Sequence, residues 1–427
     1  MKFTKHIIAS AVALGLAAPM AAMATNGYFS HGYGTKNKGL GGGGVALPQD
    51  AMAAATNPAG MVFVGERMDL GLAIFSPNDR GYEAVGGSLG VGLDLEEGKY
   101  NSDDDVFFIP HFARNWALDQ NSTIGLTVYG NGGMNTFYKA NMYQFSGGTY
   151  FAGNAGVNLE QLFINTSYSK KIDAKSSWGA SLILAHQRFK ADGLGAFGAN
   201  GFSNDPAHLT NNGVDTSNGF GIKLGWQGEV SPGLTLAASY QSEMDMSEFD
   251  DYAGLFAEKG DFDIPATWTI GLAYDAPSAG TFTFDVQNIA YSDIAAIANP
   301  LIPNLVSGPG NLGTGNGAGF GWEDITVYKL GYQWTANNMT WRVGYNKGDN
   351  PIPDSEVLFN ILAPGVTEDH YTFGFTMPTG TDSEFNFAAM YAPEVTIKGP
   401  NPLAATPQTI ELYMSQWELE ASWGWKF

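Results

Sequence analysis

The sequence predicts an all-β fold, a transmembrane antiparallel β-barrel of about fourteen strands with an N-terminal hatch, or plug, inside its lumen. Three observations predict it. Only 15% of the 427 residues are charged, where soluble domains average about 25%. Apolar and polar residues alternate with period two in segment after segment. The connections between these segments alternate short and long, as in a barrel with tight periplasmic turns and extended extracellular loops.

The N-terminus reads as a cleaved secretory signal over residues 1–24. Lys2 and Lys5 precede an apolar run from Ile7 to Ala18, and Ala22-Met23-Ala24 offers a small-residue cleavage site. That run is short for a membrane span of ~20 residues. Residues 25–66 follow, rich in Gly and Ala, with Gly39 to Gly44 and Asn57-Pro58-Ala59-Gly60. Glycines permit close backbone approach, which suits a compact plug; a loose periplasmic tail is the alternative. Residues 67–427 form the barrel, and no stretch in them reaches the ~18 apolar residues of a membrane helix.

Strands are expected at Met68–Phe75, Val106–Ala113, Ser122–Gly130, Gln161–Ser169, Trp178–Arg188, Gly219–Gly228 and Leu234–Ser242. Further strands are expected at Thr267–Asp275, Thr281–Tyr291, Ile325–Thr335, Met339–Asn346, His370–Met377, Glu384–Tyr391 and Glu411–Phe427. Phe220, Ile222, Leu224 and Trp226 share one face of such a strand, and Gly221, Lys223, Gly225 and Gln227 the other. A packed sandwich core has no use for the polar face, whereas a lipid-facing wall around a wet lumen requires it. In the last strand Trp417, Leu419, Ala421, Trp423, Trp425 and Phe427 alternate with Glu418, Glu420, Ser422, Gly424 and Lys426. A terminal aromatic on such a strand resembles the signal read by barrel-assembly machinery. A barrel of this size is too wide to be filled by its own side chains, so the plug is assigned to its lumen.

Charge and composition narrow the function. A formal net charge of −21 repels phosphate backbones, so no nucleic-acid partner is expected. With no cysteine there is no thiol nucleophile or Cys-ligated metal. The six histidines are scattered, and no metal, cofactor or catalytic constellation is expected. Gly39-x-Gly41-x-x-Gly44 and Gly86-x-Ser88-x-Gly90 match nucleotide and nucleophile motifs but lack the βαβ context those need. Asp103 to Asp105 with Glu96 and Glu97 lack calcium-loop spacing and read as a solvated acidic loop.

The chain resembles the FadL/TodX family of outer-membrane transporters for long-chain fatty acids and other hydrophobic compounds. Four places carry the likeness: Asn26-Gly27-Tyr28-Phe29 with the Gly39 to Gly44 run, Asn57-Pro58-Ala59, Ile264 to Trp268, and Trp341 to Asn346 leading into Pro351-Ile352-Pro353. The resemblance implies fourteen strands, a hatch, an extracellular groove, a deeper pocket and sideways release beside a kinked third strand. Passive uptake is thus the expected function, with neutral hydrocarbons as the alternative cargo and a diffusion porin as a weaker alternative. Expected partners are the hydrophobic ligand, outer-membrane lipid and the assembly machinery, for a monomer.

Candidate site residues follow. Ser247-x-x-Asp250 resembles a capping box, and Phe249, Tyr252 and Phe256 fall on one face of the short helix it would start. With Leu194, Phe197, Phe202 and Leu209 of the preceding long loop they are candidates for the extracellular groove; packing of the two stripes on each other is the alternative. Lys223, Lys329 and Arg342 point into the lumen by alternation, as do Glu418, Glu420 and Asp285. They are candidates either for a ligand head group or for wall-bracing ion pairs. Arg188 and Lys190 are the nearest counterparts of the family's head-group residues. Gly130, Gly132 and Gly133 mark a kink in the third strand and a candidate gate.

Overall fold

The computed structural model describes residues 26–87, 93–140, 147–306 and 310–427. The expected signal, 1–24, lies outside the described residues. Fourteen strands form the ring: β1 (Arg67–Ser76), β2 (Phe107–Ala117), β3 (Ser122–Asn135), β4 (Gly156–Lys171), β5 (Ser176–Asp192), β6 (Asp215–Ser231) and β7 (Leu234–Gln241). They continue as β8 (Thr267–Ala276), β9 (Gly280–Ile289), β10 (Ile325–Ala336), β11 (Met339–Gly348), β12 (Asp369–Pro378), β13 (Ser383–Pro400) and β14 (Gln408–Lys426). Each pairs antiparallel with its neighbour, and β14 pairs with β1 from Arg67↔Lys426 to Ser76↔Trp417, which closes the barrel. All backbone groups along that seam are therefore satisfied without water, as a bilayer demands.

The two faces of the wall differ as the alternation requires. Phe220, Ile222, Leu224 and Trp226 are exposed at 62%, 46%, 49% and 40%, while Lys223 and Gln227 are buried. Leu182, Leu184, Ile270, Phe284, Leu330, Phe373 and Leu419 extend the apolar outer belt around the ring. A continuous exposed band of this size is a lipid surface.

Sequence alternation ends β13 at Tyr391 and resumes at Glu411. The structure instead carries β13 past a register shift between Ala392 and Val395 to Pro400, and starts β14 at Gln408. Above the membrane the polarity of the alternation inverts: Glu394, Thr396 and Lys398 are exposed while Val395 and Ile397 pack inward on the loop core. An outward face that meets water carries charge, so the apolar-out rule stops identifying a strand there. The extension pairs with a short strand, Gly81–Gly86, to which Gly98–Asn101 is added.

Residues 26–64 fill the interior. They hold single turns at Thr35–Lys38 and Ala53–Thr56 and a 3-10 segment at Pro58–Phe63. Short helices of this kind leave many backbone groups unpaired, and here the inward polar side chains of the barrel complete them. Asp285 of β9 accepts from the N–H groups of Gly44 and Val45 at 2.7 and 2.9 Å. Thr372 of β12 accepts from the Gly41 N–H at 2.8 Å, and Asn346 of β11 donates to the Gly41 carbonyl at 3.1 Å. This explains why a wide lumen is lined with Asn, Ser and Thr rather than with bulk.

Candidate functional site

Asn57, Pro58 and Ala59 sit in a seat on β4 to β6. The Asn57 side chain caps the 3-10 segment by accepting from the Ala59 N–H at 3.0 Å and donates to the carbonyls of Val45 and Trp226. The Ala59 carbonyl accepts from the hydroxyls of Ser169 and Ser177 at 2.9 and 2.7 Å. Wall glycines make room: a Cβ on Gly225 would stand 1.9 Å from Asn57 Oδ1, and one on Gly179 2.5 Å from the Pro58 carbonyl carbon.

The lumenal charges pair differently from the expectation. Lys223, Lys329 and Arg342 do point inward, but their recorded partners are not the wall carboxylates. Lys223 donates to the Ala55 carbonyl, Lys329 to the His31 carbonyl at 3.1 Å, and Arg342 to Thr376 and Gln49 at 2.7 and 2.8 Å. The N-terminal segment makes buried ion pairs of its own, Lys38 with Glu418 and Glu420, both at 2.7 Å, and Lys36 with Glu384 at 2.5 Å, while Arg67 braces the wall by pairing with Asp69 and the same Glu384, both at 2.6 Å. The physical reason is reach. A segment inside the ring places its own cations against wall carboxylates and its bare carbonyls against wall cations. Of the five basic candidates, the structure brings only Lys223 and Lys329 together, around a small polar cavity with Asp285, Gln287 and Thr56.

Arg188 and Lys190 correct a second expectation. In β5 the buried set is Ser177, Ile183, Gln187, Phe189 and Ala191, so Arg188 and Lys190 share the outward parity of Trp178, Leu182 and Leu184. There they pair with Glu160 at 3.1 Å and Asp192 at 2.6 Å. They face away from the lumen.

The loop aromatics form a closed cap. Phe249, Tyr252 and Phe256 surround Phe189 with ring centroids 5.6, 4.9 and 4.7 Å away, and Phe256 also meets Phe262 at 4.7 Å. Leu194, Phe197 and Leu209 are buried in the same cluster, with Phe202 packed against it. The expected helix over 249–256 is absent: residues Asp250–Tyr252 form a 3-10 turn and the next single turn begins at Ala257. The Ser247 hydroxyl accepts from the Asn218 N–H at 3.1 Å instead of capping that turn, so the wall competes successfully for the capping oxygen.

The third strand is irregular where its glycines predict. Its ladder to β4 slips between Gly130 and Gly132, leaving Asn131 as the extra residue of a bulge. Its ladder to β2 runs from Ala117↔Thr123 only to Phe112↔Val128, while β2 continues along β1 to Phe107. From Tyr129 to Asn135, β3 has no ladder partner on its β2 side among the described residues. The wall splits there. From the lumen, Phe29 forms a bridge to Gly132, and the Ser30 N–H donates to the Asn131 carbonyl at 3.0 Å.

A closed fourteen-strand ring with a chain segment lodged inside it now has relatives to be measured against. The sequence pattern of the outer membrane protein transport protein family (OMPP1/FadL/TodX) matches residues 15–410. The chain belongs to this family. Family members are outer-membrane transport channels for hydrophobic compounds, not enzymes, and the outer membrane is where this barrel resides. In fold it is similar to the Pseudomonas putida toluene transporter TodX, at TM-score 0.67 and 19% identity over 94% of this chain and 100% of that one. A Pseudomonas aeruginosa FadL homologue gives TM-score 0.67 at 15% identity, again over 94% and 100%. The Ralstonia pickettii toluene transporter TbuX gives 0.61 at 16%, over 93% and 99%. No curated protein matches the sequence.

Proposed function

We propose that the protein takes up long-chain fatty acids or similar hydrophobic molecules by capture at the extracellular loops, transfer into the lumen and release sideways into the membrane. The observation that carries this reading is the split between β2 and β3 beside the Asn131 bulge. Release through a polar periplasmic mouth re-exposes the ligand at a cost of ~0.8 kcal/mol per CH₂. A wall opening delivers it into lipid without that cost. Residues 25–66 act as the hatch, Gly130, Gly132 and Gly133 as the gate, and Leu194, Phe197, Phe202, Phe249, Tyr252 and Phe256 as the entry surface.

A second reading, uptake of neutral hydrocarbons by the same route, has its own support: Arg188, Lys190, Lys223, Lys329 and Arg342 are all engaged by protein partners. Toluene, the cargo named for TodX, is of that class. Deleting Asn131 tests the route common to both. Removal of the extra residue should let β3 pair along β2, leaving a folded, heat-modifiable barrel whose uptake of labelled oleate and toluene is lost. Undiminished uptake of both would sink lateral release.

A further inference from the structure

A file of side-chain amides crosses the inner face of β3, β4 and β5. It begins in the plug, where the Tyr33 hydroxyl donates to Asn131 Oδ1 at 2.6 Å. Asn131 Nδ2 donates to Gln161 Oε1 of β4 at 2.9 Å, Gln161 Nε2 to Gln187 Oε1 of β5 at 3.1 Å, and Gln187 Nε2 to the backbone carbonyl of Phe262 at 2.8 Å. The bulge makes the first of these links: Gly132 takes the ladder place opposite Gln161, so the extra residue Asn131 projects beside it. Gln161 and Gln187 face each other directly across the ladder between β4 and β5. Asn131, Gln161 and Gln187 are exposed at 0%, 1% and 0%. Every donor points the same way, from the plug toward the cap, and one amide turned about its last bond would set donor against donor and acceptor against acceptor.

We infer that Gln161 and Gln187 are positioning residues of the gate, tying the Asn131 bulge to the cap so that a molecule displacing the cap loosens the split between β2 and β3. The inference deepens the uptake reading and rests on it. Phe262 is the cap end of the file: its ring meets Phe256 at 4.7 Å and its carbonyl holds Gln187, so a ligand that parts these rings pulls on the last amide. A buried polar chain whose members are all satisfied is rigid, and one that loses an acceptor leaves the next donor unpaired where no water replaces it. The effect of that loss falls on β3. Ladders hold β4 and β5 from both sides, whereas β3 from Tyr129 to Asn135 is held from the β4 side alone among the described residues. At the other end Tyr33 packs on Tyr129 at 4.8 Å, so the plug registers the same displacement.

The test is hydrogen exchange of the full chain in lipid nanodiscs at one pH, with and without saturating oleate and, separately, toluene. In wild type a bound probe should lower protection about fivefold, the weight of one hydrogen bond, both over residues 245–264 of the cap and over residues 129–135 of β3. Gln187→Leu should keep the cap response and abolish that of β3, a separation that loss of packing alone does not produce. Gln161→Leu should do the same, and the double variant should add nothing, because links in one file fail as a unit. A β3 response that survives in Gln187→Leu, or a cap response in wild type with none in β3, overturns the coupling and leaves capture at the loops standing. No response of the cap to either probe overturns the uptake reading as well. Should Gln187→Leu not give a heat-modifiable barrel, Gln187→Asn, one methylene shorter, breaks the same link with its polarity kept and is held to the same outcomes.

Discussion

The backbone of Tyr28 lies against Gly132: a Cβ built on Gly132 would stand 1.7 Å from the Tyr28 carbonyl oxygen, which accepts from the Gly133 N–H at 3.0 Å. The bulge in β3 is therefore a docking edge for residues 26–30 as well as a kink in the wall. Tyr28 in turn packs on Phe29, Phe262, Tyr291 and Trp322, joining the wall, the cap and the start of the plug.

Gly132→Val should accordingly expel residues 26–30 from β3 before it straightens the strand. A Ser30→Cys probe, in a chain otherwise free of cysteine, should become reactive to a soluble maleimide only when Gly132 is replaced. A probe that stays protected would show that the strand yields first.

Lys38 should be indispensable to the plug. Its ammonium separates two carboxylates, Glu418 and Glu420, each 2% exposed. Lys38→Met leaves Glu418 without a cation and Glu420 with only the Thr35 hydroxyl at 2.7 Å and the His111 ring at 3.4 Å, and breaking a buried pair costs about 3–5 kcal/mol. The urea midpoint should fall, and adding Glu418→Gln should recover part of the loss. An unchanged midpoint in the single variant contradicts the arrangement.

The cap should loosen as pH rises. Burial, reinforced by the charge of Asp261, raises the Asp263 carboxyl to about 7, although the Met246 N–H donates to it at 2.7 Å. A folded-state value above the unfolded one, ~3.9, means stability present in full below that value and lost as pH climbs through about 7. Protection factors for hydrogen exchange over residues 245–264, taken relative to the intrinsic base-catalysed rate at each pH, should therefore be lower at pH 8 than at pH 5.5, and Asp263→Asn should flatten the difference.

Phe256→Ala should open the cap without unfolding the barrel. Removing a buried phenyl ring costs about 3–5 kcal/mol, here taken from the contacts with Phe189, Phe249 and Phe262. Surface capture of labelled ligand should weaken while heat-modifiable migration persists. Unchanged capture would remove Phe249, Tyr252 and Phe256 from the entry path.

Much of the wall was legible because its physics is local. Period-two alternation located all fourteen strands, since lipid outside and polar contacts inside act on each residue independently of the rest of the chain. Arg188 and Lys190 share the outward parity of Trp178, a placement that alternation carries and a family resemblance does not. The partners of Lys223 and Lys329 are backbone carbonyls of the plug, and no side-chain pattern announces a carbonyl.

The pairing of Lys38 with Glu418 joins residues 380 positions apart, and that of Thr35 with Glu420 spans 385. Those carboxylates lie on the very strand that closes the seam with β1. A ring that shut before the plug arrived would trap two like charges in its wall with no cation between them. An empty barrel is thus energetically incomplete at its own seam, and the closed ring is favoured when its stopper is already in place.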